Sequence, residues 1–160
     1  ADTAESVPFR TIWTAVLGYE TAIERPYYAL VNTDDDHPVG WLAREECKPG
    51  HVPAGESVFI VQASNDWSET HFEADPASVT DALATMTADI VDDARLATPA
   101  WTDTQRWRYA LPEAGIESGP VESARDHGLY LAGDWVEGDA RLHAALRSGL
   151  DTGERIAHRR

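Results

Sequence analysis

Three residue types are almost absent from this sequence, which has one Cys, one Met and one Lys. The single cysteine, Cys47, excludes an intramolecular disulfide and fits a reducing compartment. No apolar run approaches the roughly 20 residues that a helix needs to cross a bilayer. No basic segment leads into an apolar one, as a secretory signal would. We therefore expect a cytoplasmic protein without a membrane partner.

Positive charge is scarce as well. Asp and Glu number 28 against 13 Lys and Arg, which gives a formal net charge of −15. This balance repels a phosphate backbone, and no basic stripe runs along the sequence, so we expect no nucleic-acid partner. An acidic composition poor in Lys is typical of a halophile, where concentrated ions screen the self-repulsion. An ordinary acidic mesophilic protein is the alternative.

Several catalytic and binding motifs are also missing. The six His form neither His-x-x-x-His nor a Cys/His cluster, so we expect no metal site. No Gly-x-Ser-x-Gly elbow supports a hydrolase. The Gly-x-Gly-x-x-Gly pattern that binds a dinucleotide pyrophosphate after a first strand is absent too. We name no catalytic acid, base or nucleophile.

The sequence does have enough apolar material for a core and a series of strand patterns. Hydrophobic residues make up 42% of its 160 residues, which excludes a disordered tail. Alternating or β-branched segments predict four strands of an antiparallel sheet: Val7–Tyr19, Tyr27–Asn32, Val39–Arg44 and Ser57–Ser64. The residues between Asn32 and Pro38 predict a turn.

A helix is predicted after these strands. Asp75 can cap its N-terminus, and Pro76 suits the first turn, where a missing N–H costs nothing. Apolar residues then recur at helical spacing, at Val79, Leu83, Met86, Ile90 and Ala94. Arg106–Ala110 alternates again, and Glu113–Asp126, punctuated by Gly and Pro, is predicted to be an exposed connection.

The end of the sequence has a different character. Gly128–Ala132 is a nearly continuous apolar run, typical of a strand buried on both faces of an α/β sheet. An acidic turn over Gly133–Asp139 follows. The next helix has a small and apolar face made of Leu142, Ala145, Leu146, Gly149, Leu150, Gly153 and Ile156. We predict an α+β fold, with an antiparallel sheet and a packed helix followed by the last strand and helix of a nucleotide-binding α/β domain.

Two C-terminal segments, Gly128–Asp134 and Arg141–Gly149, resemble the flavin motif of the amine-oxidase and renalase-like family of FAD-dependent oxidoreductases. In that family a strand ends in Gly-Asp or Gly-Glu, and a helix follows whose small-residue signature ends in Ser-Gly. The segments Val61–Pro76 and Gln105–Ala110 resemble two further stretches of the same family. The resemblance covers residues 57–157.

The resemblance implies FAD as the cofactor and assigns residues to it. Gly133 would allow close backbone approach, and Asp134 would accept hydrogen bonds from the ribityl chain or neighbouring loops. Free N–H groups at the start of the helix near Arg141 would point at the flavin pyrimidine and stabilise negative charge on the reduced ring. The other implied cofactor contacts are Leu142, His143 and Ala145, and the implied substrate-binding residues are Trp107, Arg108 and Tyr109.

The match departs from the family at two positions. His143-Ala144 stands where a Glu-Gly pair is usual, and Arg141 stands where many amine oxidases carry an aromatic residue of the substrate cage. The resemblance implies hydride transfer from an amine or a reduced nicotinamide to FAD, with reoxidation by oxygen or another acceptor. It divides the chain into a substrate-binding portion, 1–122, and the C-terminal segment of an FAD-binding domain, 123–160.

The same residues also fit purely structural roles. Trp107 and Tyr109 could be sheet core, Arg108 could pair with an acidic group, and Gly133-Asp134 could end any α/β strand. The chain could also be a truncated, non-catalytic interaction module, or the resemblance could be accidental. Because the pyrophosphate-binding pattern is absent, we expect this chain alone to bind FAD poorly. Its expected partners are a small-molecule substrate and either a second copy or a missing N-terminal FAD-binding half.

Overall fold

The strands predicted from alternating sequence form a five-stranded antiparallel sheet. In the computed structural model, which describes residues 6–158, they are β1 (Phe9–Tyr19), β2 (Ala29–Val31), β3 (Val39–Arg44), β4 (Ser57–Ala63) and β5 (Trp101–Pro112). Their order across the sheet is β2-β3-β4-β1-β5. The four predicted strands are confirmed, and β5 contains the alternating segment predicted to follow them.

Strand register sets which side chains enter the core. In the antiparallel pairing of β1 with β4, Leu17 lies opposite Phe59 and Ala15 opposite Val61. All four side chains are fully buried. Because successive side chains point to opposite faces, a slip of one residue would move this whole set out of the core.

Helices cover part of the sheet and complete the C-terminal part of the chain. Within the described residues they are α1 (Asn65–Thr70), α2 (Pro76–Val91), α3 (Ser118–Asp126), α4 (Asp134–Glu137) and α5 (Leu142–Ala157). The predicted start of α2 is confirmed, because the Asp75 carboxylate accepts a hydrogen bond from the Ser78 N–H and Pro76 opens the helix. Val79, Leu83 and other residues of α2 join the core beside the β1 and β4 side chains.

The residues divide into two compact units. Among the described residues, the sheet unit contains Thr11–Trp107, and the C-terminal unit contains 6–10 together with 108–158. Strands β1 and β5 contribute residues to both. The functional boundary expected at residue 122 falls inside α3 and stays a prediction.

Two local predictions for the C-terminal unit are wrong, although the α+β class is confirmed. The segment predicted as an exposed connection contains α3; Pro120 lies in its first turn, where no intrahelical N–H bond is lost. Gly128–Ala132 is not a strand, and Leu129 is exposed. A strand needs a neighbour to receive its backbone hydrogen bonds, and no described strand pairs with this segment. No helix in residues 6–158 is both long and apolar enough to span a membrane.

Candidate functional site

The two segments that resemble the flavin motif are joined in the C-terminal unit by hydrogen bonds. The backbone N–H of Gly133 donates to Ser148 Oγ at 3.2 Å, and Thr152 Oγ1 donates to the Leu131 carbonyl at 3.3 Å. Ser148 is buried on α5. The residues before Asp134 therefore run along the inward face of α5.

Gly133 is required by its local geometry. Its φ of 138° lies in a region that other residues rarely adopt, and a Cβ there would be 2.6 Å from the ring of Trp135. The close approach to FAD that the resemblance implies at Gly133 stays a prediction. The group that approaches within this chain is the Trp135 indole.

Asp134 begins α4 and keeps part of its carboxylate available. One carboxylate oxygen accepts the Trp135 N–H at 2.9 Å, and the backbone carbonyl of Asp134 accepts the Gly138 N–H at 2.8 Å. An ionised carboxylate has two oxygens and about four lone-pair sites, so it can accept further hydrogen bonds. Asp134 is half-buried, which places an acceptor at the edge of the unit.

The N-terminus of α5 has no side-chain cap. Arg141, at the N-cap, has extended backbone angles, and its carbonyl accepts the N–H groups of Ala144 and Ala145. His143 contributes its ring on the first turn, with Nε2 3.4 Å from Asp139 Oδ2. A helix of this length carries partial positive charge at its first turn, so this end suits an anionic or strongly accepting group.

The apolar face of α5 points away from its own unit. Leu142, Leu146 and Leu150 are 78%, 59% and 70% exposed, whereas Ala144 and Ser148 are buried. An amphipathic helix normally buries its large apolar side chains and exposes the polar ones. The helix is confirmed, but the described chain does not cover the face that was expected to meet a neighbour. Gly149 and Gly153 have open space where a side chain would be, and Ala145 is half-buried.

The three residues expected to bind substrate follow one another on β5. Trp107 and Tyr109 are 49% and 71% exposed, so they are not sheet core. The Tyr109 ring meets the Phe9 ring edge-on, with centroids 5.4 Å apart. Arg108 is exposed as well. Their role toward a substrate stays a prediction.

Sequence reasoning missed two residues that organise these regions. The sequence singled out Ser148 only as part of a Ser-Gly pair. No spacing rule indicated that its hydroxyl would accept a hydrogen bond from the Gly133 N–H. Arg106 donates to the Phe72 carbonyl at 2.6 Å, and its guanidinium lies 4.6 Å from the Phe72 ring centroid. A cation–π contact between distant segments has no local sequence signal.

Within residues 6–158 no group of three or more His, Cys, Asp or Glu side chains is placed to hold a metal ion.

No family model matches this sequence. The fold is nevertheless shared with parts of larger solved enzymes. A protein from Exiguobacterium sp. 255-15 described as a protoporphyrinogen oxidase matches 95% of this chain over 35% of its own, with a TM-score of 0.74 and 15% identity. Reduced UDP-galactopyranose mutase matches 98% of this chain over 34% of its own length, with a TM-score of 0.70 and 12% identity.

A third solved structure extends the same likeness. Putrescine oxidase, bound to putrescine, matches 94% of this chain over 36% of its own, with a TM-score of 0.59 and 14% identity. At these identities the likeness shows the fold alone. The chain spans about a third of the length of each of the three proteins.

Proposed function

We propose that this chain is the C-terminal portion of a flavin-dependent oxidoreductase that transfers a hydride from an amine or a reduced nicotinamide to FAD. Three things support the proposal: the resemblance of its motifs to the amine-oxidase and renalase-like family, the fold shared with two oxidases and a mutase, and the geometry around Gly133. The proposal concerns a whole protein about three times as long as this chain.

The observation that carries the proposal is the hydrogen bond from Gly133 N–H to Ser148 Oγ. The two segments on which the flavin resemblance rests are separated in sequence, and this bond brings them together.

The residues present fit the flavin end of FAD. The uncapped first turn of α5 offers N–H donors to the pyrimidine edge, and Arg141 adds a positive charge beside it. The Asp134 carboxylate has acceptor capacity left for the hydroxyls of the ribityl chain. When bound, FAD supplies the hydride-accepting chemistry, and the protein supplies positioning and electrostatics.

The exposed face of α5 supports a requirement for more polypeptide. Leu142, Leu146 and Leu150 together form an apolar stripe that water would solvate poorly. We propose that a nucleotide-binding N-terminal half packs on this stripe and binds the pyrophosphate. The chain alone then binds the flavin weakly through its α5 end.

Chemical-shift mapping can test even weak binding. FMN and AMP are the two halves of FAD, so each is added separately to ¹⁵N-labelled chain. We expect FMN to shift the amides of Gly133, Asp134 and His143, and reduced FMN to shift them more because its ring carries negative charge. AMP is the matched control and leaves them unchanged. Shifts spread over the sheet unit, or none with FMN, would contradict the proposal.

A second candidate function is a non-catalytic interaction module. The observation that favours it is again the uncovered apolar stripe of α5, which would suit a partner chain or a second copy. Sedimentation of the wild type and of Leu146→Asp distinguishes the two. A wild-type dimer that Leu146→Asp converts to a monomer, together with no response to FMN, favours the module. A monomer that responds to FMN favours the flavoenzyme.

A further inference from the structure

A cavity of about 250 Å³ opens at the end of the hairpin formed by β2 and β3. Only residues of the sheet unit line it, and most of the lining is apolar: Leu30, Val31, Val39, Trp41, Leu42 and Ile90. Cavities that hold drug-sized molecules measure roughly 300–1,000 Å³. The volume of this cavity therefore suits a smaller ligand, such as one or two fused rings.

An irregularity in β3 lies in the cavity lining. Val39 lies opposite Ala63, and Trp41 lies opposite Gln62, so β3 has one more residue than β4 at this point. The extra residue is Gly40. A bulge interrupts the regular alternation of side chains along the strand, and bulges are enriched beside active sites. Val39, Gly40 and Trp41 all line the cavity.

His37 lines the cavity, and its ring is held by a hydrogen bond. Its Nδ1 accepts the N–H of Val39 at 2.9 Å, and its carbonyl accepts Asn32 Nδ2 at 3.0 Å. A neutral imidazole that accepts at Nδ1 carries its proton on Nε2. Among the residues that the structure describes, none takes the hydrogen bond from Nε2, so this donor is available to a ligand.

Charge restricts the ligand further. Asp34, Asp35 and Asp36 precede His37 on an exposed turn, and the whole chain has a formal charge of −15. An anion would be repelled from this end of the hairpin. We propose that the cavity binds an uncharged aromatic heterocycle whose ring acceptor takes the Nε2–H of His37. This site is independent of the flavin proposal, since no residue assigned to FAD lines it.

Quinoline and naphthalene form a matched pair of probes, because the two rings have nearly the same shape and only quinoline has an acceptor nitrogen. Each is titrated into ¹⁵N-labelled chain at neutral pH. We expect both to shift the amides of Val31, Gly40 and Trp41. Quinoline binds about fivefold more tightly, the effect of one hydrogen bond. Equal affinities, or shifts confined to other residues, overturn the proposal.

Two variants test whether His37 causes the preference for quinoline and whether both probes bind in this cavity. In His37→Asp the side-chain oxygen can still accept the Val39 N–H, as Asp does in turns, but the carboxylate has no donor. We expect this variant to bind both probes with the affinity that the wild type shows for naphthalene. Ile90→Trp fills the cavity and abolishes both titrations, while its remaining amide spectrum keeps the native pattern. A His37→Asp variant that still prefers quinoline, or an Ile90→Trp variant that still binds either probe, overturns the proposal.

Discussion

The indole ring of Trp101 occupies the space that a side chain on Gly18 would need. The two residues lie on neighbouring strands, at the end of β1 and the start of β5. The Ala100 N–H donates to the Gly18 carbonyl at 2.8 Å, which holds the start of β5 in place. Gly18 is buried although Trp101 is about half exposed. The ring therefore covers a point on the sheet that only glycine leaves open.

Gly18→Ala should destabilise the protein by about 1–3 kcal/mol, because the new methyl group displaces the Trp101 ring. Strand propensity alone predicts the opposite sign, since glycine is the poorer strand former. Urea unfolding measures the change. In a Trp101→Ala background the same substitution should cost little or become stabilising. An equal cost in both backgrounds would assign the effect to something other than the ring.

Tyr19 should make stability fall at high pH. Its hydroxyl donates to the Leu96 carbonyl at 2.7 Å. Burial, and then the nearby Asp93 carboxylate, raise the pKa of Tyr19 well above its ordinary value of 10.0. The contribution of the Tyr19 hydroxyl to the free energy of unfolding is complete below about pH 10. It decreases as the pH rises above that value, because this tyrosine ionises first in the unfolded protein.

Tyr19→Phe tests both parts of this expectation. At neutral pH it should cost about 1–2 kcal/mol, since the Leu96 carbonyl loses its donor. Its stability should then fall less than that of the wild type between about pH 9 and pH 11. Tyr27→Phe serves as the control. A Tyr19→Phe profile parallel to the wild type would contradict the assignment.

Asp93 should contribute to stability down to acidic pH. Hydrogen bonds from Arg95 first, and also from Arg25, hold the pKa of Asp93 well below its ordinary value of 3.8. A carboxyl group whose pKa is lower in the folded protein than in the unfolded protein contributes stability at pH values above its unfolded pKa. That stability is lost as the pH falls through its folded pKa. Asp93→Asn should therefore flatten the acid limb of the stability profile. The exposed Asp89→Asn is the matched control and should leave that limb unchanged.

Ser148→Ala should loosen the segment around Gly133. The Gly133 N–H loses its acceptor, at a cost of about 1–2 kcal/mol. Hydrogen exchange of the Gly133 amide should accelerate, while the exposed Ser123→Ala leaves it unchanged. The FMN-induced shifts at Asp134 should weaken in the same variant. Unaltered protection of the Gly133 amide would show that the bond does not hold this segment.

Local sequence signals predicted the sheet unit well. The bounds of β3 were predicted as they are found, Val39–Arg44, because a turn rich in Asn and Asp precedes an alternating segment. Asp75 and Pro76 likewise predicted the start of α2. Both signals act within a few residues, where backbone preference and side-chain capping decide the structure.

The C-terminal unit was predicted less well because its residues depend on distant partners. Gly119 and Pro120 indicated a loop, yet both lie in the first turn of α3, where neither prevents a helix. The apolar run after Gly128 needed a neighbouring strand. The direction in which α5 faces could not be read from its pattern, because periodicity shows that a stripe exists but not what packs on it.

The order of the strands has a consequence for how the chain reaches this fold. β2, β3 and β4 pair with strands next to them in sequence, so they can form a meander from local contacts. β1 is made first but pairs with β4 and β5, so its hydrogen bonds wait until those later segments exist. Loop closure over such separations slows folding. This interior strand of the sheet is therefore unpaired for longer than any of β2, β3 and β4.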